Sequence, residues 1–188
     1  MTNRELDELL QRALPGYSSV FAPPPTGDRP ALHAFAAFGW QNQGTFVGWP
    51  RLEWHAPRRY RFTQDPTQPF HFQRSTGEVI TPETMDTDAG SIPRVVWSIP
   101  GLSPWDYLPA YIIHDWDFTA HHCGQSTRTF EDANVTLAEG IYTLMKTGVA
   151  ESDWVRIEII YRAVSSPIGR SIWDHGTCDA PATSRPSQ

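Results

Sequence analysis

The residues of this chain most suited to chemistry are a histidine and an aspartate in succession, His114 and Asp115, inside the apolar stretch 110–116. A charged group in such a stretch must be paired or functional, because burial of an isolated charge is costly. Another acid, Asp132, follows one segment later. A histidine, its neighbouring carboxylate and a carboxylate from a second element are the parts of a base-and-orienter site or of a metal site. The pattern predicts hydrolytic chemistry and leaves the substrate open.

The spacing predicts separate tasks for the two neighbours. On a helix, His114 and Asp115 point about 100° apart around the axis, so they face different partners. We expect His114 to act as a base toward water and Asp115 to hold a cation that polarises the substrate. Asp132, on an antiparallel neighbouring helix, would accept the other ring N–H of His114 and fix its tautomer. Alternatively, Asp132 belongs to a helix-start box that begins at Thr129 and favours the helix N-terminus.

A loop rich in Asp, Gly, Ser and Pro precedes these helices. Asp86 and Asp88, with carbonyls of the loop, supply the oxygen ligands that calcium prefers, and they would share the ion with Asp115. Ser91 could be a nucleophile with His114 as its base, although the loop lacks the G-x-S-x-G elbow. The alternative is a structural turn in which Asp88 and Ser91 bind local N–H groups.

A transition metal is the alternative to calcium. His114, Asp117 and His121 lie on one face of the predicted helix and could hold zinc in a cell-wall hydrolase, although their spacing is not a usual one for zinc ligands. A protein without enzymatic activity also fits the pattern. The His-Asp pair would then be a buried structural pair in a phage-particle or secretion-system component.

The elements that must position these residues are predicted to form an α+β fold: a small antiparallel sheet, followed by a three-helix half that carries the site. Alternating apolar segments bounded by Pro, Asp and Gly indicate strands, and apolar residues at helical spacing indicate helices. The strands are expected at 52–54, 60–62, 70–72 and 79–80. The helices are expected at about 107–121, 130–146 and 152–164.

Three regions are expected along the chain. Residues 1–50 would form a helical arm, with leucines at helical spacing, and a Pro/Gly-rich linker. The arm could pack on the body or dock on a protein partner. Residues 51–170 would form the catalytic-like α+β domain, and residues 171–188 a flexible tail.

Composition and charge exclude several classes of function. The 188 residues carry a net charge of −6, so the general basic surface of a nucleic-acid-binding protein is absent. No apolar run is long enough for a transmembrane helix, and the polar N-terminus lacks the apolar stretch of a signal peptide. Synthesis in the cytoplasm is expected, with any export depending on a phage or secretion machine. The two cysteines, Cys123 and Cys178, could pair, but free thiols in a reducing cytosol are expected.

The chain resembles a small family of uncharacterised phage and bacterial proteins. The family pattern is T-D-x-x-S-I-P-R, then H-D-x-x-[YF], then R-x-x-x-D at a helix start. These motifs match residues 87–94, then His114 to Phe118, then Arg128 and Asp132. The resemblance covers roughly residues 55–150 and implies no established activity.

More loosely, the same residues resemble secreted calcium-dependent sn-2 phospholipases, especially the bacterial ones. That resemblance implies His114 as the base that activates water, Asp115 as the calcium carboxylate and Asp132 as the orienter of His114. Phe118 replaces the usual tyrosine, and the usual glycine-rich calcium loop is missing. The expected function is a phospholipase-like hydrolase, in which calcium stabilises the oxyanion of a carboxylic ester. Lipid or cell wall would be the substrate, and an antibacterial effector is one setting for it.

Overall fold

The computed structural model describes residues 43–55, 59–87 and 104–178. They form an α+β fold, as the sequence pattern predicts, with short strands first and helices after them. The strands are β1 (Thr45–Val47), β2 (Leu52–His55), β3 (Arg59–Phe62), β4 (His71–Gln73), β5 (Val79–Ile80) and β6 (Met85–Thr87). A 3-10 turn, Pro104–Tyr107, leads into α1 (Leu108–His122), α2 (Phe130–Lys146), α3 (Trp154–Val164) and α4 (Pro167–His175).

The described strands form two small antiparallel sheets, where one was expected. The first has the order β1-β4-β5 and the second the order β2-β3-β6. Side chains alternate between the two faces of a strand, so each short strand places one or two large apolar residues on the core side. Phe72, for example, lies opposite both Phe46 and Ile80 in the first sheet, and Phe62 lies opposite Met85 in the second.

Helix α1 packs against both sheets and against helix α2. Its Ile112 and Ile113 are buried against apolar residues of both sheets. Full burial of a large apolar side chain stabilises a fold by about 1.5–3 kcal/mol, so this layer holds α1 firmly in place. The sheet residues in the cluster are Phe62, Phe70, Phe72, Ile80 and Met85.

Helices α1 and α2 are antiparallel. As the chain advances along α1, its contacts step backward along α2: Ala110 meets Gly140, His114 meets Asn134, and Phe118 meets Phe130. A Cβ atom on Gly140 would lie 3.0 Å from the Cβ of Ala110. The glycine therefore allows the two helices to approach closely along the face that carries His114.

The three predicted helices are confirmed as α1, α2 and α3, with bounds close to those expected. The start of α2 also follows the prediction, because the Thr129 hydroxyl accepts the backbone N–H of Asp132 at 3.1 Å. After α1, Gly124 has a φ of 68°, a left-handed conformation that glycine adopts without strain and that ends the helix.

Two expectations about the ends of the chain need correction. The predicted flexible tail begins at residue 171, yet α4 continues to His175 and its Trp173 is buried. The region predicted as arm and linker, 1–50, contains β1, which pairs with β4. The predicted N-terminal helix lies outside the described residues. Within the described ranges, no helix has both the length and the apolarity required to cross a bilayer.

The expectation of free thiols is wrong, because Cys123 and Cys178 form a disulfide. Cys123 follows the end of α1, and Cys178 follows the end of α4. Packing of Trp173 on Phe118 brings these two helix ends together, and the Cα atoms of the cysteines are 4.7 Å apart. The sequence separation of 55 residues gave no sign of this proximity.

Candidate functional site

His114 lies in the interface between α1 and α2, where its side chain is 1% exposed. Its Nε2 is 2.9 Å from Oδ1 of Asn134 on the neighbouring helix. An amide oxygen only accepts hydrogen bonds, so Nε2 carries the hydrogen and donates it. Nδ1 therefore has its lone pair available. This atom is buried and has no hydrogen-bond partner in the described part of the chain.

Burial also sets the charge of His114. Loss of water around the ring lowers its pKa from 6.5 to about 4, against the opposite but smaller influence of the Asn134 hydrogen bond. The imidazole is thus neutral at pH 7. A neutral imidazole with a defined tautomer is the form that can accept a proton.

Asp115 points away from His114, as the helical geometry predicts. Its carboxylate is buried and accepts a hydrogen bond from the hydroxyl of Thr87, the last residue of β6. The two neighbours on α1 therefore have separate partners, Asn134 on α2 and Thr87 on a strand. The charge of Asp115 also helps to keep the nearby Tyr111 protonated, because burial is the main cause of a strongly raised pKa for that phenol and Asp115 adds to it.

Asp86 is not placed with Asp115. Successive residues of a strand point to opposite faces, so the side chain next to Thr87 faces the other way. Asp86 instead accepts a hydrogen bond from Nε of Arg61 at 2.8 Å across the β3–β6 pair. This geometry corrects the expected calcium set, in which Asp86 and Asp115 were to share one ion. The other expected loop residues, Asp88 and Ser91, lie outside the described residues.

Asp132 does not contact His114, which corrects the expected role of orienter. Asn134 has that position. Adjacent positions on a helix are about 100° apart, so residues 132 and 134 face nearly opposite sides of α2. The Asp132 carboxylate lies 2.9 Å from Arg74 and 2.9 Å from Arg128. Asp132 therefore belongs to an ion-pair network on another face of the helix.

That network, which we call the arginine network, joins the first sheet to α1 and α2. Arg74 follows β4, is 4% exposed, and lies 3.1 Å from the buried carboxylate of Glu139. Glu78 bridges Arg74 and Arg128. Since a buried charge is tolerated only when paired, these contacts hold the first sheet on α2. Along α2 the network contacts Asp132, Thr136 and Glu139. The same polar stripe continues to Thr143, which accepts the backbone N–H of Gly44 before β1.

Asp117 is the buried acid of the arginine network on α1. Its Oδ1 lies 3.1 Å from Nε of Arg128, but the N–H does not point at it, so the contact is an ion pair without a directed hydrogen bond. Burial raises the pKa of Asp117 to about 7; Arg128 acts in the opposite direction, and Asp132 and Glu78 add to the rise.

The three residues expected to bind zinc have different partners. His114 contacts Asn134, Asp117 contacts Arg128, and His121 stacks on Trp173 with ring centroids 4.0 Å apart. Among the described residues, no three His, Cys, Asp or Glu side chains converge as metal ligands.

Asn134 was not among the residues predicted from the sequence, although a signal was present. Phe130, Asn134, Ala138 and Ile141 form a stripe at helical spacing in which Asn134 is the polar member. A polar residue in an apolar stripe must find a buried partner, and His114 is the buried polar residue opposite. Arg74 and Thr87 had no comparable signal, since their partners are distant in sequence.

A family model described as a protein of unknown function, DUF1353, matches residues 66–164, a range that includes α1, α2, α3 and the arginine network. No curated protein and no solved structure matches the chain. The chain belongs to this uncharacterised family, DUF1353.

Proposed function

We propose that this protein is a hydrolase in which neutral His114 is the general base. The observation that supports the proposal is the His114–Asn134 pair. Nε2 donates to Asn134, while Nδ1 presents a buried lone pair without a partner in the described residues. Most buried polar atoms are hydrogen-bonded, and exceptions call for a functional or structural explanation. A water molecule at Nδ1 would supply the missing partner.

The reaction follows from this arrangement. Nδ1 of His114 would remove a proton from water as the water oxygen attacks the carbonyl carbon of an ester. The imidazolium formed would keep its Nε2–H on Asn134, which holds the ring in position, and would return the proton to the departing alcohol. The products are a carboxylic acid and an alcohol. Asn134 thus has the positioning role that the phospholipase resemblance gave to Asp132.

Asp115 is the proposed carboxylate for a cation. Among the three acids expected to bind calcium, it is the one that the structure describes next to the histidine and inside the core. Calcium bound there would stabilise the negative charge that develops on the carbonyl oxygen. Asp115 alone does not form a calcium site, since the ion takes six to eight oxygen ligands. The loop that follows Thr87, with Asp88, would supply the others.

The proposed substrate is an ester of a lipid. The order of the motif, a His-Asp pair on one helix and an orienting residue on its antiparallel neighbour, is the part of the phospholipase resemblance that the geometry supports. A peptidoglycan bond is the alternative substrate, and parallel assays on the two substrates distinguish them.

The burial of His114 favours a second candidate function, a structural component of a phage particle or secretion system. With 1% of the residue exposed, the pair with Asn134 could serve folding alone. In that case substitutions of His114 or Asn134 would lower the stability of the protein, and no hydrolysis would be found.

The test compares His114→Gln with His71→Gln. His71 lies on β4, away from α1, and its Nδ1 contacts the carbonyl of Pro69. Ester release from phospholipid vesicles should fall about a hundredfold or more in His114→Gln and stay unchanged in His71→Gln. Equal activity of the two variants would rule out His114 as the base.

A further inference from the structure

Helix α4 and the residues after it, 167–178, lie beyond the part of the chain that matches the family, 66–164. We call residues 167–178 the C-terminal cover. Besides the backbone that continues from α3, a disulfide between Cys123 of the domain and Cys178 of the cover joins the cover to the family domain.

The cover packs on the α1–α2 interface near His114. Trp173, 4% exposed, packs edge-on against Phe118 with centroids 4.9 Å apart, and it also contacts Phe130. Phe118 lies one helical turn from His114, and their rings are 4.8 Å apart. Phe130 lies one turn from Asn134 on α2. The indole therefore covers the Phe118–Phe130 end of the α1–α2 interface, one helical turn from the His114–Asn134 pair.

Trp173 also stacks on His121, and Arg170 lies over the ring of Phe130. The polar contacts of the cover lie near the surface. Nε2 of His122 is 3.1 Å from the carbonyl oxygens of Ile172 and of Trp173, so it can donate to one or share its hydrogen between them. Gly176, the residue after α4, lies so close to this ring that a Cβ atom on it would be 2.0 Å from the ring of His122. Arg170 pairs with the exposed Glu131. Exposed ion pairs stabilise little, so apolar packing of Trp173 and the disulfide hold the cover.

Without the tether, α4 has little stability of its own. It has nine residues, and isolated helices shorter than about 12–15 residues are marginal in water. A cross-link lowers the entropy of the open state, and its removal therefore favours opening. Both cysteines are partly exposed, so a reductant can reach the bond.

We propose that the Cys123–Cys178 disulfide is a redox latch. Its reduction releases the C-terminal cover and opens the α1–α2 interface near His114 to water. The reductant is a dithiol. One of its thiolates attacks a sulfur of the disulfide, forms a mixed disulfide and expels the other cysteine as a thiolate. The second thiol of the reductant then displaces the remaining cysteine and closes a disulfide in the reductant. Two electrons and two protons pass from the dithiol to Cys123 and Cys178. Only the effect of the latch on activity depends on the proposed function.

The experiment measures hydrogen exchange of the full chain, oxidised and after treatment with dithiothreitol. Reduction should lower amide protection about tenfold or more in residues 167–178 and speed exchange of the Cε1 hydrogen of His114, while the centre of α2 stays protected. Cys178→Ser should show the released pattern without reductant and should not respond to it, because the chain has two cysteines. If this variant does not fold, the reduced native chain supplies the same measurement.

Two outcomes would overturn the latch. Unchanged protection of α4 and His114 after complete reduction would show that packing alone holds the cover. Loss of protection throughout α2 would show that the disulfide supports the whole fold. Neither readout needs turnover, so absence of ester hydrolysis in both redox states would contradict the proposed function and leave the latch standing.

Discussion

Asn134 accepts a hydrogen bond from Nε2 of His114 at 2.9 Å, across the antiparallel interface of α1 and α2. The pair lies one helical turn from the contact between Phe118 and Phe130, so apolar rings border it. The hydrogen bond leaves Nδ1 as the basic atom, and burial keeps the ring neutral. The proposed role of His114 as a base rests on these two effects.

Asn134→Leu should lower the free energy of unfolding by about 1–3 kcal/mol, because Nε2 of His114 would be buried without a partner. It should also lower the pKa of His114 further, since the Asn134 hydrogen bond favours the charged form. Urea unfolding and an NMR titration of the His114 ring measure the two effects. Asp132→Asn is the control and should leave the titration of His114 unchanged; a shift in that variant alone would restore Asp132 as the orienter.

Glu139→Gln should destabilise the protein by about 3 kcal/mol, because Arg74 would lose the charge of its most buried partner. Asp132→Asn removes a carboxylate that is 39% exposed from the same arginine network. Water screens that charge, so the expected cost is about 1 kcal/mol or less. Chemical denaturation of both variants tests the order. Equal losses of unfolding free energy would mean that the contribution of an ion pair in the arginine network does not depend on its burial.

Asp117→Asn should make the protein more sensitive to acid. The folded-state pKa of His114, about 4, lies below 6.5, so its contribution to stability is lost as pH falls through that window. The folded-state pKa of Asp117, about 7, lies above 3.8, so its contribution increases as pH falls from 7 toward 3.8. The two contributions oppose each other in the native protein. Removing Asp117 leaves that of His114 unopposed, and urea midpoints should drop more steeply between pH 6.5 and 4. Parallel profiles would contradict these assignments.

Calcium should raise the melting temperature of the native protein, and Asp115→Asn should abolish the gain. An ion present at 100 times its Kd stabilises the state that binds it by about 2.7 kcal/mol. Asp86→Asn is the matched control, because that carboxylate faces Arg61 on the opposite side of β6 and should not matter. No rise at millimolar calcium would remove the cation from the mechanism.

The sequence predicted the elements well and their contacts poorly. Periodicity located α1, α2 and α3, and it separated His114 from Asp115, because these depend on spacing along the chain. The sequence pattern paired Asp132 with His114, but the residue that contacts His114 is Asn134, two positions further along α2. Two positions along a helix turn a side chain to nearly the opposite side. The Cys123–Cys178 bond and the Arg74–Glu139 pair join segments 55 and 65 residues apart, and only the assembled fold brings them together.

The role proposed for His114 is that of the base in a hydrolase. The most direct measurement is ester release from phospholipid vesicles by the native chain, His114→Gln and His71→Gln, with peptidoglycan cleavage assayed in parallel and the cover both oxidised and reduced. We expect the native chain and His71→Gln to hydrolyse one of the substrates, and folded His114→Gln to be about a hundredfold slower or worse. Full activity of folded His114→Gln, or no hydrolysis by the native chain in either redox state, would contradict it.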